Sequence, residues 1–373
     1  MKKPRLLWLN IIVFASTTLG AVTLVPWHGF TQGYDLSQWL MMLLALGFCG
    51  MSITAGYHRL WSHKTYQAHP VLRFLFALGG AFAVQNSVMN WAADHRRHHQ
   101  HVDDDDRDPY SAGRGVWFSH MGWMLRAYPS GKHDYSNIQD LQRDKIVVWQ
   151  HKYYALLALL MNFGIPLLLG WWHGDIIGTL LLVGVLRLVL SHHTTFLINS
   201  LAHLWGRQPY SEASSARDNS LLALLTYGEG YHNYHHSFQY DYRNGVRWWQ
   251  FDPTKWLIFS CSKIGLTTGL KRIPRLKVER VKLELQFKRA MAAMRSRGEQ
   301  QRWVDRLQHE YEQLSMLLRE WSTLHREWSS LKREQWQQKY AEAEQNMRQK
   351  YQQLVADIEI QLTIWRSYTA QFV

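Results

Sequence analysis

Nine histidines in four short clusters are the residues of this chain whose type and spacing could bind metal. Each cluster stands at the end of an apolar segment, and the members are His58, His63, His95, His98, His99, His203, His232, His235 and His236. Imidazole is the commonest neutral nitrogen ligand of metals, and nine imidazoles exceed the four ligands of a structural zinc site. The clusters therefore predict a histidine-rich centre with two metal ions at a membrane surface.

The spacing within the clusters indicates how they share a metal. Two clusters read HxxHH, which places their histidines on one face of a helical turn, and Asn199 lies four residues before His203. His58 and His63 differ, because five residues of α-helix rotate through about 140°. We therefore expect these two to straddle the metals from an end where their helix unwinds.

Four uncharged or nearly uncharged stretches must position the clusters. About 20 apolar residues cross a bilayer core, and the four stretches reach that length. They run from Leu6 to Pro26, from Leu36 to Tyr57, from Tyr153 to Trp171 and from Ile176 to Leu197. No small-residue cleavage site follows the first stretch, so we interpret it as a transmembrane helix and not as a signal peptide.

A fifth segment, Pro70 to Trp91, is apolar but is interrupted by polar residues such as Arg73 and Gln85. If it crossed the membrane, the first and second histidine clusters would lie on opposite faces. We therefore predict that it is re-entrant or capping, which is tolerated where protein buries it. All four clusters then share one face.

The basic residues orient the chain. The far-side connections, Trp27 to Asp35 and Trp172 to Asp175, contain no Lys or Arg, whereas Lys2, Lys3 and Arg5 lie on the side of the clusters. By the positive-inside rule, the clusters and both termini are expected in the cytoplasm, with the protein in a bacterial inner membrane.

Composition limits the classes of partner. The net charge of +13 comes from Lys and Arg spread through membrane-flanking loops and the C-terminal third, which favours anionic lipid or a phosphate-bearing substrate over nucleic acid. The two cysteines, Cys49 and Cys261, cannot form a disulfide framework.

The chain changes character after Pro274. Residues 275–373 contain no proline and only Gly298, and apolar residues recur at spacings of three and four: Leu307, Tyr311, Leu314, Leu318, Trp321, Leu324, Trp328 and Leu331. This periodicity is typical of a coiled coil. We predict a transmembrane domain over 1–274 and a helical extension over 275–373.

The predicted fold class is an all-α integral membrane protein. It has four transmembrane helices, a cytosolic histidine-rich helical cap and a long C-terminal coiled-coil-like helix. Residues 299–373 could mediate self-association, dock on the cap or recruit a reductase, or the helix could fold back on its own domain with Gly298 at the bend.

Four motifs resemble the histidine boxes of the membrane fatty-acid desaturases. They are GYHRLWSHKTY at 56–66, WAADHRRHH at 91–99, NSLAHLWG at 199–206 and GEGYHNYHHSF at 228–238. The likeness is to the delta-9 acyl-CoA, or stearoyl-CoA, type in a bacterial-like form. It implies that all nine histidines bind two irons, with Asn199 contacting one iron through water.

The resemblance also implies a reaction. The protein would use O2 and electrons from an external donor, such as a ferredoxin- or cytochrome-type reductase system, to insert a cis double bond into a saturated fatty acyl-CoA. The alternatives are an acyl-lipid desaturase or a fatty-acyl hydroxylase on the same scaffold. A non-catalytic membrane scaffold organised by the coiled coil is the further alternative.

Substrate contacts come from the resemblance alone. Gln85, Trp91 and Thr195 would line the kink of an acyl tunnel, and Phe196 stands where the family usually has tryptophan.

Two further pairs of residues carry implied roles. Asn86 and Arg126 would meet the thioester or the CoA phosphates, and Leu46 and Gly50 would close the end of the tunnel.

Several polar residues lie outside the boxes. We interpret the acidic run Asp103 to Asp106, with Asp108 after it, as a solvated loop. His101, His192 and His193 are interpreted as polar or capping groups. His120 is expected to pack or to support the ligands from behind.

Overall fold

The computed structural model describes residues 4–298, 301–331 and 341–370, and these are mainly helical. The α-helices are α1 Trp8–Thr31, α2 Leu36–Met51, α3 Pro70–Ala83, α4 Val88–Gln100, α5 Val116–His120, α6 Lys145–Lys152, α7 Tyr154–Leu159, α8 Ile165–His173, α9 Ile176–Thr179, α10 Arg187–Asn199, α11 Ser220–Leu225, α12 His232–Ser237, α13 Pro253–Lys263, α14 Arg275–Arg297, α15 Gln301–Leu331 and α16 Ala341–Thr369.

Shorter elements complete the described chain. Two-residue strands β1 (Gln67–Ala68) and β2 (Thr267–Thr268) pair antiparallel. The π-helical segments are Ser52–Ser62, Leu160–Gly164 and Leu180–Leu186. The 3-10 turns are Ala112–Arg114, Gly122–Met124, Pro129–Gly131, Ser136–Ile138, Leu141–Arg143 and Leu201–His203. Contacts divide the chain into two compact units, one of 1–208 and 212–272, the other of 209–211 and 273–373.

In the described part of the chain, four continuous helices are long and apolar enough to cross a membrane, as predicted. They cover Trp8–Thr31, Leu36–Ser62, Tyr154–His173 and Ile176–His203, and we number them spans 1 to 4. Spans 2 and 4 extend beyond the predicted apolar stretches and carry the first and third histidine clusters at their ends. Lys2 and Lys3, used above for orientation, lie outside the described residues.

The two far-side turns are fixed by caps and by pairs between them. Asp35 caps α2 in a capping box with Gln38, and Asp175 caps α9 by accepting from the Gly178 N–H. His173 Nε2 lies 2.7 Å from Asp35 Oδ2, and His28 Nε2 lies 3.2 Å from Asp175 Oδ2. Each turn therefore supplies one carboxylate to a histidine next to the other turn.

Span 2 ends as a π-helix, and this corrects the expected placement of its histidines. Over Ser52–Ser62 the hydrogen bonding is of the π type, and the His63 N–H bonds the His58 carbonyl at 3.1 Å. A bond between residues five apart brings them to the same side of the helix, whereas an α-helix would separate them. The prediction that His58 and His63 straddle two metals is therefore wrong, because their rings lie 4.8 Å apart in one cluster.

Helices α3 and α4 meet at 83°, as the predicted re-entrant path requires. The break is residues 84–87, which we call the elbow. Val84 (φ 51°) and Asn86 (φ 75°) have left-handed backbone there. The turn places α4, with the second histidine cluster, beside the end of span 2.

Glycines allow α3 to lie directly on span 2. A Cβ built on Gly80 would come within 2.2 Å of the Tyr57 ring, and one built on Gly56 within 2.7 Å of Phe76 Cβ. Both distances are below any real contact, so these positions accept only hydrogen. The close approach fixes α3 and the elbow relative to the histidines of span 2.

Within its described residues, the second unit contains three helices, α14, α15 and α16, in place of one long helix. Gly298 ends α14 in the left-handed conformation (φ 64°), where glycine carries no steric cost. A shared core draws on α14, α15 and α16 and includes Leu276, Leu283, Met294, Leu307, Leu314, Leu318, Leu354, Ile358 and Trp365. The side chains of Trp328 and Leu331 lie outside the described part of the chain, and the coiled coil and the domain limits 1–274 and 275–373 stay predictions.

Candidate metal centre

The fold brings all nine predicted histidines together in two adjoining groups. In each group the ligand nitrogens lie within 4.8 Å of one another. The larger group is His58, His63, His95, His99 and His235, and the smaller is His98, His203, His232 and His236. Each HxxHH cluster contributes to both groups, so α4 and α12 join them into one centre.

The imidazoles face one another through the same ring nitrogen. Nε2 of His235 lies 3.0 Å from Nε2 of His58 and 2.9 Å from Nε2 of His99. In the smaller group, Nε2 of His232 lies 3.1 Å from Nε2 of His203. The Nε2 atoms therefore point inward at each group.

In two of the histidines, the opposite nitrogen lies beside a carboxylate. His58 Nδ1 lies 2.8 Å from Glu229 Oε2, and His98 Nδ1 lies 2.9 Å from Asp108 Oδ2. An ionised carboxylate only accepts hydrogen bonds, so Nδ1 carries the proton and Nε2 presents a lone pair inward.

This protonation state tests the fit to a metal. Lone pairs that face each other at about 3 Å repel, and a cation between them removes the repulsion. The donor set of neutral imidazoles therefore fits metal ions, with five nitrogens for one and four for the other.

Glu229 belongs to a buried ionic network. Its Oε1 accepts from Arg59 Nη2 at 2.9 Å, and Arg59 Nη2 also lies 3.0 Å from Asp252 Oδ1. Burial alone would raise the pKa of Glu229, but His58 and Arg59 outweigh it and the pKa is lowered. The carboxylate thus stays ionised behind His58.

The solvated-loop interpretation of the acidic run is wrong for two of its carboxylates. Asp108 is fully buried against His98. Asp103 accepts from Ser215 Oγ at 2.5 Å, and Ser215 Oγ lies 2.7 Å from His203 Nδ1. Asp108 thus contacts His98 directly, and Asp103 reaches His203 through Ser215.

The histidines of the fourth cluster are held neutral. Burial, and after it the neighbouring imidazoles, lowers the pKa of His232, His235 and His236 well below the ordinary value. Neutral imidazole is the form that binds metal. Asn199 is the last residue of α10, and His203 lies at the end of the 3-10 turn that follows, Leu201–His203.

The three predicted kink residues take part in two separate contacts. The Trp91 ring stacks on His95 with centroids 4.8 Å apart, and its edge contacts the Tyr57 ring. Gln85 in the elbow donates to Thr195 Oγ1 at 2.8 Å. This hydrogen bond joins the elbow to α10.

The other predicted substrate residues lie in different surroundings. Phe196 is buried and stacks on His192, with ring centroids 5.5 Å apart. Asn86 is exposed and its side chain accepts from Asn90 Nδ2 at 2.8 Å. Arg126 donates to the Pro4 carbonyl at 2.9 Å.

Arg126 also lines a surface cavity of about 490 Å³. Arg114, Trp117 and Tyr128 line the same cavity, and the Arg114 guanidinium lies over the Phe118 ring at 3.7 Å. Two guanidinium groups beside aromatic rings can bind phosphate and a planar base.

Tyr227 closes the position predicted as a tunnel end, and sequence reasoning missed it. Its ring occupies the place of a Gly50 Cβ, within 2.2 Å, and its hydroxyl donates to the Leu46 carbonyl at 3.2 Å. Its left-handed backbone (φ 56°) is unusual for an aromatic residue and carries no signal in the sequence.

The remaining histidines support neighbours. His120 lies 2.9 Å from Ser200 Oγ and 3.0 Å from His193 Nδ1, and His192 lies 3.0 Å from the Ala83 carbonyl. The predicted polar and capping roles of His192 and His193 are confirmed.

Comparisons with known proteins agree with this centre. A family model described as fatty acid desaturase matches residues 37–266. The chain is similar to acyl-CoA desaturase 1 of Saccharomyces cerevisiae (40% identity, 76% of this chain, 55% of that protein) and to a probable acyl-CoA desaturase of Schizosaccharomyces pombe (43%, 66% and 51%). It is also similar to stearoyl-CoA desaturase of Bos taurus (38%, 73% and 76%). The matched region spans about half the length of the two yeast relatives.

Proposed function

This chain belongs to the fatty acid desaturase family, and on that premise we propose that it is an O2-dependent di-iron acyl-CoA desaturase. The substrate is a saturated fatty acyl-CoA, and the product carries a cis double bond at the delta-9 position. The names of the yeast and bovine relatives support the acyl-CoA class of substrate.

The observation that carries the proposal is the pair of histidine groups. Five and four imidazoles, each group within 4.8 Å, supply enough nitrogen donors for two irons. Asn199 completes the smaller set through a water molecule, as the resemblance implies.

Two bound irons supply the strong oxidant that an unactivated methylene requires, using O2 and electrons from an external donor. The protein contributes geometry. Glu229 and Asp108 hold two imidazoles in the metal-binding tautomer.

Placement of the acyl chain decides which carbons react. Trp91 stacked on His95 and the Gln85–Thr195 hydrogen bond form a wall next to the larger group. A chain held against this wall presents one pair of carbons to the centre, which is catalysis by positioning. Tyr227, beside Gly50, limits the methyl end of the chain.

The head of the substrate needs cations. Arg126 and Arg114 line one cavity with aromatic rings, which suits the phosphates and base of CoA. Asn86, exposed in the elbow, is placed to meet the thioester.

The second candidate reaction is acyl-lipid desaturation or hydroxylation on the same scaffold. One observation favours an acyl-lipid substrate: Arg126 donates to the Pro4 carbonyl, and Ala127 follows it where a second basic residue could stand. The metal centre is the same for each reaction.

Location and partners complete the proposal. Four apolar helices support a membrane location. We infer that both termini and the centre face the cytoplasm, because the far-side turns contain no Lys or Arg. A bacterial inner membrane stays a prediction, since the relatives named above are from yeasts and a mammal. The electron donor is a separate ferredoxin- or cytochrome-type system, and residues 299–373 are available for self-association.

Gas chromatography with mass spectrometry of lipids from an expressing host tests the function. We expect a new cis-9 monoene that is lost with His232→Ala or His98→Ala, while both variants remain in the membrane. A hydroxylated fatty acid in place of the monoene would show that the protein is a hydroxylase and not a desaturase. Absence of product from a protein that contains iron would indicate a missing electron donor, and absence of iron would favour the scaffold alternative.

A further inference from the structure

Span 4 carries a fully buried arginine, Arg187, which donates to carbonyl oxygens, to a side-chain amide oxygen and to a thiol. Arg187 donates to the Phe82 carbonyl at 2.7 Å and to Asn162 Oδ1 at 2.8 Å, and its guanidinium lies 3.8 Å from the Phe82 ring centroid. A charge buried at membrane depth is costly and marks a functional position. One of its acceptors, the Phe82 carbonyl, lies at the end of α3.

The final carbonyls of α3 are bonded by side chains of α10. Carbonyls at a helix end have no partner inside the helix. Arg187 bonds that of Phe82, while His192 Nε2 lies 3.0 Å from the Ala83 oxygen and 3.3 Å from the Val84 oxygen. His192 must therefore carry its proton on Nε2, and the cation of Arg187 also favours a helix C-terminus.

These two side chains hold a strained turn. The elbow follows directly, with Val84 at φ 51° and Asn86 at φ 75°. A β-branched residue in left-handed backbone persists only where its surroundings fix it. The two donors from α10 are such surroundings.

The elbow connects this clamp to the site. Gln85 donates to Thr195, which follows His192 by three residues on α10. Beyond the elbow, α4 carries Trp91, whose ring stacks on His95. A shift of the elbow therefore moves Gln85 and α4, with Trp91, relative to the histidines of span 2 and α12.

We propose that Arg187 and His192 are positioning residues that fix which carbon of the acyl chain is desaturated. They act through the elbow, by bonding the last carbonyls of α3. This inference rests on the proposed desaturase function. This role differs from those proposed for Gln85 and Trp91, because the hydrogen bonds to the last carbonyls of α3 come from Arg187 and His192.

The test is the ratio of positional isomers in the monoene product. His192→Leu keeps an apolar side chain but loses the donor, and His192→Gln retains an N–H at similar reach. Leu190→Ala, on the same helix but 37% exposed, is the matched control. Double-bond positions are read by mass spectrometry of dimethyl disulfide adducts.

We expect His192→Leu to raise the fraction of displaced double bonds by about fivefold, the effect of one lost hydrogen bond. His192→Gln should return most of the ratio to the wild-type value, and Leu190→Ala should leave it unchanged. Because a ratio is independent of the amount of folded protein, poor folding of a variant does not hide the effect.

Two results would overturn the inference. An unchanged isomer ratio in His192→Leu, even with lower total product, would show that the clamp serves stability only. The same displaced fraction in Leu190→Ala would show that any change in span 4 has this effect. A wild-type protein that contains iron and is supplied with an electron donor, yet makes no monoene, refutes the proposed function itself, which is a separate outcome.

Discussion

At the scale of residues, the sequence identified every histidine of the centre but not the carboxylates behind them. The histidines are recognisable from their dense local spacing. In contrast, Glu229 is 171 positions from His58 in the sequence, and Asp108 lies in an acidic run that resembles an ordinary loop. Hydrogen bonding of this kind depends on the final fold. Tautomer control could therefore be assigned only from the structure.

Asp108→Asn is expected to weaken metal binding by about 10- to 100-fold, because an amide no longer requires His98 to protonate on Nδ1. Iron retained by the purified protein after challenge with a chelator measures the effect. Asp106→Asn, an exposed change in the same run, is the control. Equal iron retention in both variants would contradict the role of Asp108.

The His133–Asp94 pair predicts a pH dependence of stability. The hydrogen bond to Asp94 raises the pKa of His133 despite partial burial, with Nδ1 and Oδ1 3.2 Å apart. A raised pKa gives stability that is complete below the unfolded value of about 6.5 and is lost as the pH rises through the folded value. Because His133 is one-third exposed, the contribution is under about 1 kcal/mol.

Thermal unfolding at pH 6 and pH 8 checks this contribution. The wild-type protein should lose more of its Tm between these values than His133→Gln does. His309→Gln, at an exposed site on α15, should keep the wild-type difference. An identical loss of Tm in wild type and His133→Gln would refute the assignment.

At the scale of elements, the four spans were predictable, and the local geometry at their ends was not. Apolar length predicts a helix, but a period of 3.6 was assumed for span 2, and only the structure shows the π-helix that aligns His58 with His63. The elbow was likewise predicted as a re-entrant path without its left-handed Val84. Both departures occur where the chain must aim a side chain at the centre.

Gly80→Ala should destabilise the protein by about 1–3 kcal/mol, because the added methyl group would overlap the Tyr57 ring. Tyr57 contacts Trp91, so we also expect less monoene per folded molecule. Gly47→Ala in span 2, where a Cβ meets no described atom within 4 Å, is the matched control. Equal Tm and equal product in the two variants would refute the close packing of α3 on span 2.

At the scale of the whole molecule, two compact units have separate cores. The sequence indicated a change after Pro274 from composition alone, but it could not count the helices that follow, because a heptad pattern does not show where the chain turns back. Gly298 was the one local sign, and its left-handed backbone marks the first turn. The shared core of α14, α15 and α16 could be seen only in the structure.

Truncations at two sites test this division. Ending the chain after Arg272 removes residues 273–373 together and should leave the iron content per protein unchanged. Ending it after Gly298 keeps α14 and exposes Leu276, Leu283 and Met294, so we expect aggregation on size-exclusion chromatography. Loss of iron in the shorter protein would contradict the independence of the centre, and monodisperse behaviour of the longer one would contradict the shared core.

The two groups of the centre consist of histidines, with no carboxylate among their members. Nitrogen donors of this kind bind divalent copper and zinc more tightly than divalent iron. Affinity alone therefore gives iron no advantage here, and the occupant is decided by supply when the chain folds. A cell rich in free zinc would fill the same site with a metal that has no redox chemistry, and the result would be a folded and stable protein that is inert.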